Sequence, residues 1–324
     1  MPDGAPPIVS VIIPAFNAAA TIDETLLSVR AQTLRSIEII VVDDGSRDDT
    51  RQRVEAHVQE DCRVRLIASQ NGGVARARNM AVSVARSDLI APVDADDLWH
   101  PDKLKLQHEA MVHGDNIGLV YCWFVTIDEQ SRIIHYGQRH WDEGNVLQRM
   151  SLGNLVGNGS GPLMRKDAIE AAGGYDPSLR DNDAQGCEDL KIYYAIAETY
   201  NFAVVPQYLL GYRATQASMS SDGRRMLKSY DLAMASPRTR FPQFAPEFER
   251  GRRYLNEWLL GRAVSYGSAV QVRVLFNELW RQSPGDALRT LPANASRLRR
   301  RWVQRRPLPL HFCGLWANCR TEPR

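Results

Sequence analysis

Leu89-Ile90-Ala91-Pro92-Val93-Asp94-Ala95-Asp96-Asp97 is an apolar run that ends in three carboxylates within four residues. The run reads as a buried strand, and the acids sit at its C-terminal end. In open α/β sheets that end is where ligands bind. Carboxylates crowded there repel one another and lose water. A hard divalent cation, Mg²⁺ or Mn²⁺, relieves both costs, because it takes one or two carboxylates together with substrate phosphates. The bland reading is a solvated turn leading into a helix that Pro101 starts. The surrounding chain separates the two.

Upstream, Val9-Ser10-Val11-Ile12-Ile13 is a β-branched strand closed by Pro14. Thr21-Ile22-Asp23-Glu24 has the spacing of a capping box, and Ile22, Leu26 and Val29 share a helical face. Ile37 to Val42 is nearly all apolar, as a parallel strand covered on both faces must be, and it ends in Asp43-Asp44-Gly45-Ser46. A helix from about 49 to 58, a strand at Val64–Ile67, a turn at Asn71-Gly72-Gly73 and a helix burying Val74, Ala77, Ala81 and Val84 complete the approach to Leu89. The alternation β-α-β-α-β-α-β with short connections predicts a doubly wound, mainly parallel sheet. Asp43-Asp44 and Asp94 to Asp97 then fall on one sheet edge, an arrangement suited to a nucleoside diphosphate with its metal. No G-x-G-x-x-G follows the first strand and no P-loop sequence exists, so the usual dinucleotide and triphosphate cradles are excluded.

Four ordered segments carry a resemblance: Val9 to Asn17 (VSVIIPAFN), Val41 to Ser46 (VVDDGS), Asn71 to Asn79 (NGGVARARN) and Val93 to Pro101 (VDADDLWHP). Together they resemble the inverting glycosyltransferases of family 2, which have the GT-A fold. The resemblance implies a nucleotide-sugar donor, with UDP the first choice of nucleotide and GDP and dTDP also open. Pro14, Ala15, Phe16, Asp43 and Asp44 would hold base and ribose, with Asp94 and Ala95 beside the donor. Asp94 and Asp96 would be the metal-binding D-x-D pair, for Mg²⁺ or Mn²⁺. Asp97 would orient its neighbours or cap the next helix. Arg76 and Arg78 are too close in sequence to share a helix face. One of them reaches the ligand, here assigned to Arg76, and the other is a surface charge.

Further on, Gly118 to Asp128 reads as a long strand that Ile133–Tyr136 pairs with, and Asn158 to Arg165 resembles the floor of the family's acceptor site. Gly173-Gly174 signals a helix C-cap within a segment that matches the family's G-G-[FY]-D pattern. Cys187-Glu188-Asp189 opens a helix. Two acids there favour the helix dipole, and the resemblance makes Asp189 the catalytic base and Glu188 its positioning neighbour. Gly211 to Ser220 resembles a segment in which many relatives carry His where Thr215 stands.

The resemblance therefore implies transfer of a sugar to an acceptor hydroxyl of a glycan or lipid-linked glycan, in cell-surface polysaccharide or glycolipid synthesis. Two rivals share the fold class. A nucleotidyltransferase needs a Gly-rich basic loop after the first strand, and Pro14-Ala15-Phe16-Asn17 is no such loop. A non-catalytic nucleotide-sugar- or partner-binding module is opposed by the retained Asp94, Asp96 and Asp189.

Composition bounds the rest. The 324 residues, 44% hydrophobic and 24% charged, are ordinary for a globular chain, and a net charge of +2 points to no nucleic-acid partner. Residues 1–220 are expected to form the catalytic domain, with 1–100 for the nucleotide sugar and 101–220 for the acceptor. Residues 221–296, rich in Arg, Leu, Trp and Ala, read as a helical appendage. Within it Tyr254, Trp258 and Leu259 suggest one buried face, and Val272, Leu275, Phe276 and Leu279 another. Residues 297–324 form a basic tail whose arginines (Arg297, Arg299, Arg300, Arg301, Arg305, Arg306) and aromatics suit either a disordered, solvated tail or contact with an anionic membrane surface. No segment is apolar enough to span a bilayer, and the five scattered cysteines read as reduced thiols. The expected location is the cytoplasm, with a peripheral place on the inner membrane face if the tail takes the membrane-contacting alternative.

Overall fold

The computed structural model describes residues 6–214, 222–266, 268–303 and 312. Nine strands form one sheet among them: β1 (Val9–Ala15), β2 (Ile37–Asp43), β3 (Val64–Ala68), β4 (Leu89–Pro92), β5 (Leu98–Trp99), β6 (Ile117–Ile127), β7 (Ile133–Tyr136), β8 (Leu163–Arg165) and β9 (Asn201–Arg213). The order is β3-β2-β1-β4-β8-β6-β9-β5, with β7 paired to β6. Strands β1 to β4 are mutually parallel, β8 runs against both β4 and β6, and β9 is parallel to β6. Hence β1, β2, β3, β4, β6 and β9 all end on one edge. This is the doubly wound, mainly parallel sheet that the alternation predicts, extended by antiparallel pairings that local periodicity does not specify.

Period-two alternation sends side chains to two layers. Val9, Val11 and Ile13 of β1, with Ile37, Ile39 and Val41 of β2, pack beneath α1 (Ile22–Arg30), α2 (Thr50–Glu60) and α4 (Lys103–His113). Ile12, Ile40, Val42 and Ile90 pack on the other face, beneath α3 (Val74–Val84), α6 (Lys166–Ala171) and α8 (Glu188–Ala197). The remaining short helices, α5 (Leu147–Ser151) and α7 (Ser178–Asp181), lie in the connections of this second layer.

The face of α3 differs from the expected one. Ala75, Ala77, Arg78, Ala81 and Val82 are buried, while Val84 is exposed. Small alanines let the helix sit close to the sheet, and Arg78, three residues after Ala75 and three before Ala81, is carried inward with them.

The C-terminal helices are α9 (Gly223–Arg240), α10 (Ala245–Tyr266), α11 (Ala269–Gln282) and α12 (Pro284–Val303). Tyr230, Ala233, Met234 and Phe248 join the core layer of α8, so the beginning of this unit packs on the sheet domain. A smaller cluster, including Leu227, Leu259, Leu260, Leu275 and Leu279, holds α9 to α12 together. Tyr254 and Trp258 are exposed, contrary to the expected face; Leu259 and Leu260 are the buried pair there. Phe312 is buried over Gly211 among Leu98, Val125, Ile127 and Ile133. The side chains of the arginine cluster at 297–306, and Thr215, lie outside the described residues. Among the described residues no helix is long and apolar enough to cross a membrane, and Cys62, Cys122 and Cys187 are free thiols.

Candidate active site

The chain turns sharply after β4, and residues far away in sequence hold the turn. Ser160 Oγ accepts the Asp94 amide at 2.9 Å and donates to Asp97 Oδ2 at 2.5 Å. Thr21 Oγ1 donates to the Ala95 carbonyl at 2.9 Å. The Arg213 amide donates to Asp97 Oδ1 at 2.8 Å, and its Nε to the Asp96 carbonyl at 2.7 Å. The rest of the buried Arg213 guanidinium reaches Asp128 O, Ser131 Oγ and Glu24 Oε2. Asp97 is fully buried, and its role is to tie the loop to β9 and Ser160; α4 begins later, after Asp102. The Thr21–Glu24 pair forms no capping box. Thr21 makes no side-chain cap bond to α1, and both side chains are spent on the acid loop and Arg213.

Asp94 and Asp96 are left facing the cleft, each partly exposed. Burial pushes the Asp96 carboxyl up to about 7; Asp94 adds to the rise and Arg213 opposes it. Burial also drives Asp97 well above the usual carboxylate range, with Asp96 and Asp94 adding to it. This is an oxygen donor set whose negative charge is under-compensated, which suits a hard divalent ion. Among the described residues no three His, Cys, Asp or Glu side chains gather closely enough to hold an ion by themselves. A metal at Asp94 and Asp96 would draw its other ligands from substrate phosphates and water.

Across the cleft stands the first turn of α8. Asp189 Oδ1 accepts its neighbour's amide, Leu190 N, at 2.7 Å, and Oδ2 accepts Asn154 Nδ2 at 3.0 Å. Burial pushes its carboxyl up to about 6, against the pull of Arg78 and the Leu190 amide. Glu188 is buried, accepts the Gly186 amide at 2.8 Å, and is likewise raised by burial. Between the two acid groups lies Arg78, 3% exposed, whose guanidinium meets Asp94 Oδ1 at 2.5 Å and lies over the Tyr175 ring. Burial disfavours the charge of Arg78, but Asp94 first, then Tyr175, Tyr193 and Asp189, keep it firmly protonated. Arg78 Nε, Tyr175 Oη and Asn158 Nδ2 are buried without a hydrogen-bond partner among the described residues, three polar atoms that a ligand can satisfy. A side chain at Gly159 would collide with the Arg78 guanidinium, so the acceptor-floor segment passes directly against it.

Arg78 and not Arg76 is therefore the arginine between the acids. Arg76 lies exposed at the rim and pairs with Asp181 at 3.0 Å. Asn79 explains the placement of Tyr175, since its side chain accepts the Tyr175 amide and donates to the Tyr175 carbonyl.

The loops after β1 and β2 are laced together on the same edge. The Asp44 amide donates to Ala15 O, Asn17 N to Ser46 Oγ, and Ser46 N to Asp43 Oδ1. Both Asp44 carboxylate oxygens accept amides at the start of α3, Gly72 at 2.7 Å and Gly73 at 2.8 Å. Asp44 thus anchors the turn that delivers Arg78. Pro14 and Ala15 line the end of β1, and Phe16 is about half exposed beside them.

A family model described as glycosyl transferase family 2 matches residues 10–172, half of the chain. The chain belongs to glycosyl transferase family 2. As a member it is a glycosyltransferase. An uncharacterised glycosyltransferase of Rickettsia typhi is 26% identical over 229 residues, 69% of this chain and 70% of that protein. Chondroitin synthase of Escherichia coli is 34% identical over 131 residues, 40% of this chain and only 19% of that larger protein. Among solved structures, Staphylococcus aureus TarS residues 1–349 in complex with UDP-GlcNAc aligns over 90% of this chain and 83% of that one, with a TM-score of 0.61 and 18% identity. A mannosyltransferase from Pyrobaculum calidifontis in complex with GDP-Man and Mn²⁺ aligns over 97% and 88%, at 0.58 and 20%. At these identities the likeness establishes the GT-A fold.

Proposed function

We propose that this family 2 enzyme moves a sugar from a nucleoside-diphosphate sugar, with UDP as the nucleotide, to a hydroxyl of an acceptor glycan by a single inverting displacement. The observation that carries the reading is the convergence of Asp94, Asp96, Arg78 and Asp189 on one sheet edge, two carboxylate groups in separate environments with a buried cation between them. Asp189 takes the proton of the acceptor hydroxyl as it attacks the anomeric carbon. A carboxyl raised to about 6 is a stronger base than an ordinary aspartate and is still ionised at neutral pH. Asn154 fixes its orientation. Arg78 holds positive charge where the diphosphate departs, and its free Nε–H suits a phosphate oxygen. A divalent ion held by Asp94 and Asp96 would neutralise the charge that grows on the leaving diphosphate. Pro14, Ala15, Phe16, Asp43 and Asp44 are the residues assigned to the nucleoside. The relatives named for chondroitin and hyaluronan synthesis support a glycan acceptor and a place in surface polysaccharide assembly.

Thermal stability with UDP, GDP, dTDP and CDP, each with and without Mn²⁺, tests the donor half. A ligand at about 100 times its dissociation constant stabilises by about 2.7 kcal/mol. A Mn²⁺-dependent shift with UDP that Asp96→Ala abolishes is the expected result. A shift of equal size without metal removes the metal assignment, and a shift confined to GDP replaces the nucleotide.

A further inference from the structure

Beside the cleft stands a connected set of aromatic rings to which the reading above gives no task. Trp123 on β6 is its buried base. Trp141 packs edge-on against Trp123 at a centroid distance of 4.8 Å, Tyr208 lies 5.4 Å from Trp123, and Tyr136 lies 5.1 Å from Tyr208. Trp141 is 64% exposed and Tyr136 38%. Arg139, also exposed, lies 5.4 Å from the Trp123 ring and 5.6 Å from the Tyr208 ring, and its Nε donates to the Tyr208 hydroxyl at 3.2 Å. Its contacts among the described residues are these rings and not a carboxylate. Trp123 Nε1 donates to the His140 carbonyl at 2.8 Å, which fixes the loop bearing Arg139 and Trp141 on the sheet.

The sheet register locates this platform. Ile90 of β4 and Leu119 of β6 both pair with Met164 of β8, so they stand level. β4 ends at Pro92, two residues beyond Ile90, and the acid loop follows it; Trp123, four residues beyond Leu119 on β6, lies toward the same sheet edge. Trp123 belongs to the core layer of α8, whose first turn carries Asp189. The chain from Trp141 continues through α5 to Asn154, which holds Asp189, and to Ser160, which holds the acid loop. The rings therefore border the active-site cleft on the side of the base.

We propose that this platform binds a sugar ring of the acceptor glycan, one removed from the ring that reacts at Asp189. The apolar face of a pyranose packs on Trp141 and Tyr136, and the free Arg139 donors take its hydroxyls or an acidic substituent. Exposed aromatics with a few placed donors are the composition of a site for an amphipathic ring. The proposal rests on the glycosyl-transfer reading and deepens it: the acceptor is an oligosaccharide of at least two rings.

The test is an array of neutral and acidic oligosaccharides probed with the wild-type chain in UDP and Mn²⁺, and with Trp141→Ala, Trp141→Phe and Arg139→Gln. Truncating an aromatic anchor is expected to weaken glycan binding about tenfold or more. The expected result is wild-type binding that Trp141→Ala loses and Trp141→Phe keeps, with the UDP-induced thermal shift the same in all. Loss on Arg139→Gln of the acidic glycans alone assigns the arginine to an acidic substituent, and loss of all glycans assigns it to hydroxyls. Equal binding by Trp141→Ala, or no glycan bound by a wild type that shows the UDP shift, overturns the platform. A wild type with neither glycan binding nor any nucleotide shift overturns the glycosyl-transfer reading with it.

Discussion

The loop after β4 and the first turn of α8 are both acidic, yet they are held in different ways. The loop is clamped from four distant places, by Thr21, Ser160, Arg213 and, through Arg213, Glu24. Asp189 has one helix amide and one side chain, Asn154. On the proposed reading, a set of carboxylates that receives a metal and a diphosphate needs its geometry fixed beforehand, because mutual repulsion would otherwise spread it. On the same reading Asp189 accepts a proton, and its raised pKa comes from burial with few hydrogen bonds to its charged form. Burial raises carboxyls in both regions, Asp96 to about 7 and Asp189 to about 6, and the regions differ in what holds them.

The largest effect expected to separate them is that of Asp189→Asn. Transfer should fall by about 10²–10⁴-fold, the range of general-base catalysis, while the UDP-induced thermal shift remains. The melting temperature at pH 7 should rise. The folded-state pKa of Asp189 is raised, so its contribution to stability is present at low pH and lost as pH rises through about 6. Asn removes that buried charge. Undiminished transfer would remove Asp189 as the base. In the wild type, kcat/KM should fall as pH drops through about 6, since the protonated carboxyl cannot accept the acceptor's proton.

Arg213→Met should do the reverse, acting on stability and nucleotide binding together. It takes the guanidinium away from Glu24 and from the Asp96 and Asp128 carbonyls, while the backbone amide at 213 still donates to Asp97, at a cost of about 3–5 kcal/mol by urea denaturation. A variant as stable as the wild type, with an intact UDP shift, would show that the loop holds its shape without the clamp. Arg78→Leu touches both regions. It should cost about 1.5–3 kcal/mol, the worth of hydrogen bonds to a charged group, and raise the pH midpoint of transfer, because Arg78 lowers the Asp189 pKa. Arg76→Leu, which removes only an exposed pair with Asp181, is the control and should cost under about 1 kcal/mol. Equal effects at the two positions would cancel the assignment of Arg78. The smallest effect is that of Asn154→Ala. Removing a donor to the ionised carboxylate should move the pH midpoint above about 6 while leaving the nucleotide shift unchanged.

Much of this was legible before any coordinates. Strand runs such as Ile37–Val42 must be buried on both faces, and short connections force them parallel, so Asp43 and Asp94 had to meet at one edge. Motif spacing pointed to the family, and with it to Asp189. What misled was local chemistry with two uses. Thr21 and Glu24 fit a capping box, but a hydroxyl and a carboxylate serve a distant loop equally well, and the acid loop took them. Arg76 and Arg78 are alike in sequence. Only the docking of the alanine face of α3 on the sheet turned Arg78 inward and left Arg76 at the rim. Arg213 gave no local signal at all, because its five hydrogen bonds run to three segments between residues 24 and 131.

The sequence by itself determined the sheet of the first hundred residues and its acidic edge, because hydrophobic period and residue spacing are local properties; the family resemblance then proposed Asp94 and Asp96 for the metal and Asp189 for the base. The tertiary structure decided which cation stands between those aspartates, what holds each of them, how far burial raises Asp96 and Asp189, and that Trp123, Tyr136, Trp141 and Tyr208 form one platform. Each of those depends on desolvation and on contacts across tens to hundreds of residues, and both exist only once the chain has packed.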